Sequence, residues 1–380
     1  MIAIVLGSLV VGYLTASLEV ARRMQCVNNL KQLGLALSNM QDYERNIPAG
    51  AKAVLSGNND YKRVSGFFYL LPYIEHVTLK MEAEEDAYNG DFNSSNPKQK
   101  YLSEKISAFV CPSDRASAVA PISYRLCYGD FPVHMSNMTG ETIGELGEGE
   151  ADICNVKRGV FVNQENRRLS EIKDGLSNTI AFSEKRICSN PNDVGEGIAT
   201  TGSQLPAAYL NTVFDTTDPA IKPVEGTLAL ANKTKYVKGA APFADSGKRR
   251  MDGALVYTGF ATILPPNAPS SMATSDDCAG GLITVSSYHA RGVNAAMADC
   301  SVRFISDNID CGQSNSLVRE GGSLHGGWGA MGTADGHETE DFCSPRVSEK
   351  DEEVELTLET GEASDNESED ATLPDKPDFE

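Results

Sequence analysis

Residues 1–46, MIAIVLGSLVVGYLTASLEVARRMQCVNNLKQLGLALSNMQDYERN, decide how the rest of the chain is read. Met1 to Leu18 carries no charged side chain. Beyond Glu19, apolar residues recur at Val20, Met24, Val27, Leu30, Leu33, Leu37 and Met40. Steps of three and four mark one face of an α-helix. No proline interrupts the run before Pro48. The pattern predicts one continuous helix, apolar all round in its first half and amphipathic in its second. About 18 residues at about 1.5 Å rise make roughly 27 Å, close to the ~30 Å hydrocarbon core of a bilayer. The expectation is a membrane-inserted half-helix over residues 1–18. Ile2, Ile4, Val5, Leu6, Leu9, Val10, Val11 and Leu14 supply its apolar surface. Residues 19–46 continue it as a stalk packed on a soluble body.

Two rival readings are weaker. A cleaved signal peptide needs basic residues ahead of its apolar run; none precedes Arg22, although Thr15-Ala16-Ser17 offers small residues. An ordinary one-span anchor with Arg22 and Arg23 on its C-terminal side would keep that side cytoplasmic, which conflicts with export of the body.

The formal charge of −20 is unevenly spread. Glu349–Glu380 holds 14 acidic residues against Lys350 and Lys376, a net of −12, which leaves −8 for the rest. That tail has few large apolar residues, cannot bury a core, and reads as disordered over 344–380. No basic stripe is visible, so nucleic acid is not an expected partner. Nine cysteines include no C-x-x-C pair, against a zinc ribbon or thioredoxin motif. An exported body would permit disulfides. The odd count leaves at least one thiol unpaired in a monomer, and Cys26 on the stalk is the candidate.

Downstream, Pro48 and Gly50 end the helix, and residues 51–65 read as loop. SGFFYLLPYIEHVTL reads as a short helix against the stalk, with Glu75 and His76 at a solvated helix end. Residues 84–100 read as loop. ISAFVCPSD, Ile106 to Asp114, reads as a short strand broken by Pro112, and SYRLCYGD as another strand. Val160-Phe161 and Ile180 to Ser183 read as strand around an Asp174-Gly175 turn. Ala254 to Asn267 is also strand-like. Near the C-terminus, Val293, Ala295 and Met297, then Val302, Phe304 and Ser306, make two strands around Asp299-Cys300, a β-hairpin.

The run ARRMQCVNNLKQLGLAL resembles the start of a pilin-like family of planctomycete bacteria, domain of unknown function family 1559. Arg22, Arg23, Cys26, Asn28, Asn29 and Leu30 fit its stalk motif. Cys111, Pro112, Ser113 and Asp114 match its Cys-Pro-Ser-Asp signature. Asp174, Gly175, Ser177, Asn178, Thr179 and Glu184 match its Asp-Gly-x-Ser-Asn-Thr segment. His289 and Asp299, with nine residues between them, keep its closing spacing, and Cys300 stands where the family has Gly. Thr333 and Glu338 fall in its last Gly-rich segment. The family's basic leader and Phe-Thr-Leu-x-Glu segment are missing, so either Met1 is a late start or this member is not processed as a prepilin. The resemblance implies an α+β, pilin-like body (47–343, with an insertion about 189–250) under a long N-terminal helix on an antiparallel sheet. It also implies a membrane-tethered, secretion-associated or cell-surface protein that self-assembles through its helix.

Three chemical readings remain. Asp174, Ser177, Asn178 and Glu184 offer oxygen ligands of the type Ca²⁺ takes; a turn whose side chains bond nearby backbone is the preferred alternative. An L-residue at a Gly position disfavours the turn's left-handed backbone, and this points to a disulfide role for Cys300, with Cys311 as its partner. His289 and Asp299 invite a catalytic dyad, but no GxSxG, HExxH or P-loop accompanies them. The expectation is a non-enzymatic structural or interaction protein without a cofactor, its body outside the cytoplasmic membrane. The alternative is a ligand- or glycan-binding module on the same anchor.

Overall fold

The structure, a computed structural model, describes residues 2–55, 61–89, 98–114, 118–130, 158–200, 231–232, 234–237, 242–272, 281–312 and 326–336. The acidic tail lies outside that set.

Helix α1 runs Ile2–Glu44, and its side chains are described from Ser17 onward. The helix ends on Arg45, which takes the left-handed backbone at φ 62° and donates its N–H to Gln41 O at 2.8 Å. That is a left-handed cap, three residues before the proline. Cys26, Leu30, Leu33, Ala36, Leu37 and Met40 are buried. Each large apolar side chain on that face contributes about 2 kcal/mol by burial. The face differs from the expected one at its start: Val20 and Met24 are 64% and 57% exposed. Among the described residues no helix is long and apolar enough to cross a membrane. The side chains of Ile2, Ile4, Val5, Leu6, Leu9, Val10, Val11 and Leu14 lie outside the described set.

Among the described residues, twelve strands follow in chain order. They are β1 (Ala51–Leu55), β2 (Tyr61–Ser65), β3 (Tyr124–Cys127), β4 (Ile180–Glu184), β5 (Ala199–Thr200), β6 (Ala231–Asn232) and β7 (Lys235–Tyr236). Then come β8 (Gly259–Phe260), β9 (Ser271–Met272), β10 (Gly281–Leu282), β11 (Gly292–Met297) and β12 (Val302–Ser306). The main sheet has the order β12-β11-β4-β3-β8. It is antiparallel except for the short parallel pairing of β8 on β3. The architecture is α+β.

Helix α1 packs on β4, β11 and β12. A cross-strand row lies beneath it. Phe304 pairs with Asn294, and Tyr124 pairs with Glu184. The Ala295–Ser183 register places Asn294 opposite Glu184. Side chains alternate across a strand, so these four share a face. Arg23 lies 4.0 Å over the Phe304 ring, and the Tyr124 hydroxyl donates to Cys26 O at 3.5 Å. Strands β3, β4 and β11 are buried throughout, while the edge strand β12 is largely exposed.

Several expected elements differ. Residues 51–65 include the β1–β2 hairpin rather than a loop. α2 (Gly66–Leu70) is the expected short helix, N-capped by Ser65 and packed on α1. α3 (Val77–Asn89) runs into a stretch read as loop. Ser107–Phe109 is a 3-10 turn, because Phe109 N bonds Ile106 O instead of a strand partner. Phe161 N makes a single backbone bond, to Cys127 O at 3.1 Å, and Val160-Phe161 lies in no named strand; Leu255–Thr258 forms one helical turn before β8. Gly326–Gly332 is helical despite its glycines, held by buried Trp328, whose Nε1 donates to Leu264 O at 2.8 Å.

Candidate functional site

Four separated segments meet under α1. Cys26, one turn past Arg22-Arg23, forms a disulfide with Cys111 across 85 residues, Cα to Cα 5.2 Å. This corrects the expectation that Cys26 is the unpaired thiol. Asn29, buried on the same face, donates its Nδ2 to Ser107 O at 3.0 Å and Val110 O at 3.1 Å. The loop carrying Cys111 is held from its other side by Asp114, whose Oδ2 accepts from Ser123 Oγ at 3.1 Å and Ile187 N at 2.8 Å. Pro112 and Ser113 turn the chain between them.

His289 sits just before β11 and is 3% exposed. Its Nδ1 lies 2.7 Å from Glu19 Oε1. Its Nε2 lies 3.6 Å from Cys111 Sγ and 3.8 Å from Glu184 Oε1. Glu184, at the end of β4, receives two hydrogen bonds from Asn294, from its backbone N to Oε2 and from its Nδ2 to Oε1, both 2.9 Å. Burial raises the Glu184 carboxyl above the ordinary carboxylate range, and the Asn294 bonds and His289 oppose that rise. The ligand atoms of Cys26, Cys111, Glu184 and His289 all lie within 4.8 Å of one another. Glu19, its side chain 44% exposed, forms the solvent edge.

The other expected sites do not assemble. Asp299 folds back on its own turn, accepting from Ser301 N at 2.9 Å and Ser301 Oγ at 2.6 Å. The six residues of β11 separate it from His289 by about 17 Å, so the two make no dyad. Cys300 and Cys311 are both free thiols, which overturns their expected pairing. Cys300 instead takes φ 69° in the hairpin turn. A Cβ on Gly34 of α1 would come within 3.0 Å of Cys300 Cα, so glycine is what allows the helix to pass the turn this closely. The Ca²⁺ ligand set is also undone. Asp174 spends its carboxylate on Thr333 Oγ1 at 3.0 Å and Gly336 N at 2.9 Å, and Asn178 Nδ2 donates to Asp174 O at 3.2 Å. Ser177 is exposed, and Glu184 lies the length of β4, about 13 Å, away. Thr179 Oγ1 bonds both Gly175 O and Thr333 O at 3.2 Å, and Gly175 takes φ 95°. This is the turn that bonds neighbouring backbone.

Residues 16–312 match the family model described as a protein of unknown function, DUF1559. The chain belongs to that family. It matches none of the curated proteins and none of the solved structures with which it was compared.

In this DUF1559 protein the residues that carry the sequence motifs divide in two. Cys26, Asn29, Cys111, Glu184 and His289 build the cluster under α1. Asp174, Gly175, Asn178 and Thr179 build the turn ahead of β4. Arg22 is half-buried, Asn28 is exposed and Leu30 is in the core. Sequence reasoning missed two members of the cluster, Glu19 and Asn294. Glu19 stands seven residues before Cys26, two helical turns away on the same face, and that spacing was a usable signal. Asn294 is recognisable only once the β4–β11 register is known.

Proposed function

We propose that this DUF1559 protein is a non-enzymatic, membrane-anchored structural or interaction protein, pilin-like in plan, with its body outside the cytoplasmic membrane. The observation that carries the reading is α1 itself. One face of its second half, from Cys26 to Met40, is buried against the body. Ahead of that, Leu18, Val20 and Met24 are exposed at 56%, 64% and 57%; Leu18 closes the uncharged run Met1–Leu18, and Val20 and Met24 follow it. Exposed apolar side chains on a helix that continues an uncharged segment suit lipid, or the helices of other copies. The Cys26–Cys111 disulfide supports an oxidising compartment. The cluster around His289 supports a structural role. His289 is buried, Cys111 is tied up in a disulfide, and Glu184 is occupied by Asn294.

Cell fractionation tests the reading. The full chain is expected in the membrane fraction and resistant to alkaline extraction. A chain starting at Ser17 is expected in the soluble fraction with its disulfide intact. A Met24→Cys variant is expected to crosslink to a second copy in the membrane. A full chain recovered soluble, with no crosslinked product, would sink the proposal.

A further inference from the structure

We propose that Cys26, Cys111, His289 and Glu184 form a redox-exchangeable metal site: a disulfide when oxidised, and a tetrahedral S₂NO site for a divalent cation such as Zn²⁺ when reduced. The donors are already nearly in position. A tetrahedral zinc with ordinary bond lengths sets S–N edges of about 3.6 Å, N–O edges of about 3.4 Å and an S–S edge of about 3.8 Å. Cys111 Sγ to His289 Nε2 is 3.6 Å, and His289 Nε2 to Glu184 Oε1 is 3.8 Å. The two sulfurs must part, and the remaining donor pairs already lie within 4.8 Å of one another. Cys26 sits on a rigid helix and Cys111 on a loop between Asn29 and Asp114, so the loop takes up that movement.

The surroundings suit a metal as well as the donors do. When His289 Nδ1–H donates to Glu19 Oε1 at 2.7 Å, the Nε2 lone pair is aimed at Cys111 and Glu184. A carboxylate on the far nitrogen of a ligating histidine fixes the tautomer and raises the basicity of the ligand. Asn294 likewise fixes the plane of the Glu184 carboxylate. All four donors are buried, and once deprotonated the ligand set carries two thiolates and a carboxylate. Like charges at this spacing in a dry site repel strongly, and a divalent cation offsets them. Glu19, partly exposed, marks the route by which a cation enters.

The exchange balances. A dithiol reductant passes two electrons and two protons to the Cys26–Cys111 bond and leaves as its own disulfide. The two protein thiols then release two protons as the cation binds. In reverse, a small-molecule disulfide takes two electrons from the thiolates and two protons from solvent and leaves as two thiols, the protein S–S bond re-forms and the cation is expelled.

Cobalt reports the site directly, through thiolate-to-cobalt charge transfer and the intense visible bands of tetrahedral Co²⁺. Full-length protein, oxidised and dithiol-reduced, is titrated with Co²⁺ under anaerobic conditions while far-UV circular dichroism follows the fold. The reduced chain is expected to stay folded and to bind one Co²⁺ with a tetrahedral thiolate spectrum. Zn²⁺ displaces it, and adding oxidised glutathione abolishes it. Glu19→Ala keeps all four donors and is expected to weaken binding about tenfold or more. His289→Ala is expected to weaken it further, and the Cys26→Ser/Cys111→Ser double variant to remove the spectrum. Three outcomes overturn the proposal: equal Co²⁺ uptake by oxidised and reduced protein, an unchanged spectrum in the double variant, or a reduced chain that loses its fold.

Discussion

His289 Nδ1 and Glu19 Oε1 lie 2.7 Å apart across 270 residues of sequence. The contact ties α1, near the first of its described side chains, to the segment leading into β11. On the same ring, Nε2 faces the Cys26–Cys111 disulfide and the Glu184 carboxylate. Helix, loop and two strands are therefore joined at one buried imidazole, and the consequences of breaking each link differ.

His289→Ala is expected to destabilise the fold by about 2–4 kcal/mol. It removes a buried ring and leaves the Glu184 carboxylate without its imidazole neighbour. Glu19→Ala is expected to cost about 1 kcal/mol or less, because that carboxylate is partly exposed and its contact is screened. Urea unfolding midpoints at a fixed slope rank the two variants. A larger loss for Glu19→Ala would mean that the helix, and not the ring, organises the site.

Reducing the disulfide is expected to cost about 3–5 kcal/mol. Cys26 and Cys111 are 85 residues apart, and the loop-closure entropy of a chain that long falls in this range. Cys26→Ser should show the same loss without reductant. A Cys300→Ser variant, whose thiol is free, should show almost none.

At Cys300 the sign reverses. The residue holds φ 69° in the hairpin turn, a backbone state that costs an L-residue about 1–2 kcal/mol. Part of that relief is cancelled by the greater freedom of glycine in the unfolded chain. Cys300→Gly is expected to raise stability by about 0.5–1 kcal/mol, read as a higher thermal midpoint. An unchanged or lower midpoint would mean that the contact of Cys300 with Gly34 is worth more than the strain.

Lys185 supplies the pH dependence. It is fully buried, donating to Thr284 O at 2.8 Å and Ser270 Oγ at 3.2 Å. Burial, with Arg125 adding to it, lowers its amine from 10.5 to about 7. Above about pH 7 the folded chain holds a neutral amine, and the unfolded chain an ammonium up to about 10.5, so unfolding takes up a proton. Stability from this group is full above 10.5 and is lost as pH falls towards 7. Lys185→Met removes that slope. The stability of the wild type relative to the variant should rise between about pH 7 and about pH 9; a flat difference would place the lysine in a wetter site.

Much of the fold is legible in the sequence where local pattern and tertiary packing agree. The three-and-four spacing from Leu30 to Met40 marks the buried face of α1, short strand-like runs mark β3 and β4, and alternation marks β11 and β12. It fails where packing overrides propensity. Glycine costs about 1 kcal/mol in a helix, so the Gly-rich run 326–332 carries no helix signal, yet the buried Trp328 anchors a helix there. The β1–β2 hairpin is polar and gains its place through bridges from Ala51 to Asn163 and Val64 to Asp252. Val20 and Met24 extend the apolar period but not the packed face, because at about 100° per residue they project away from Glu19 and Cys26, which meet the body. Within the site, each motif is visible singly. The Cys26–Cys111 pairing is not, since no spacing encodes a contact across 85 residues.

Mass mapping of disulfides in the unreduced protein, with free thiols blocked before digestion, tests the convergence under α1 most directly. The account predicts a crosslinked pair of peptides containing Cys26 and Cys111, with Cys300 and Cys311 recovered as blocked thiols. Cys26 recovered as a blocked thiol, or a Cys300–Cys311 crosslink, would contradict it.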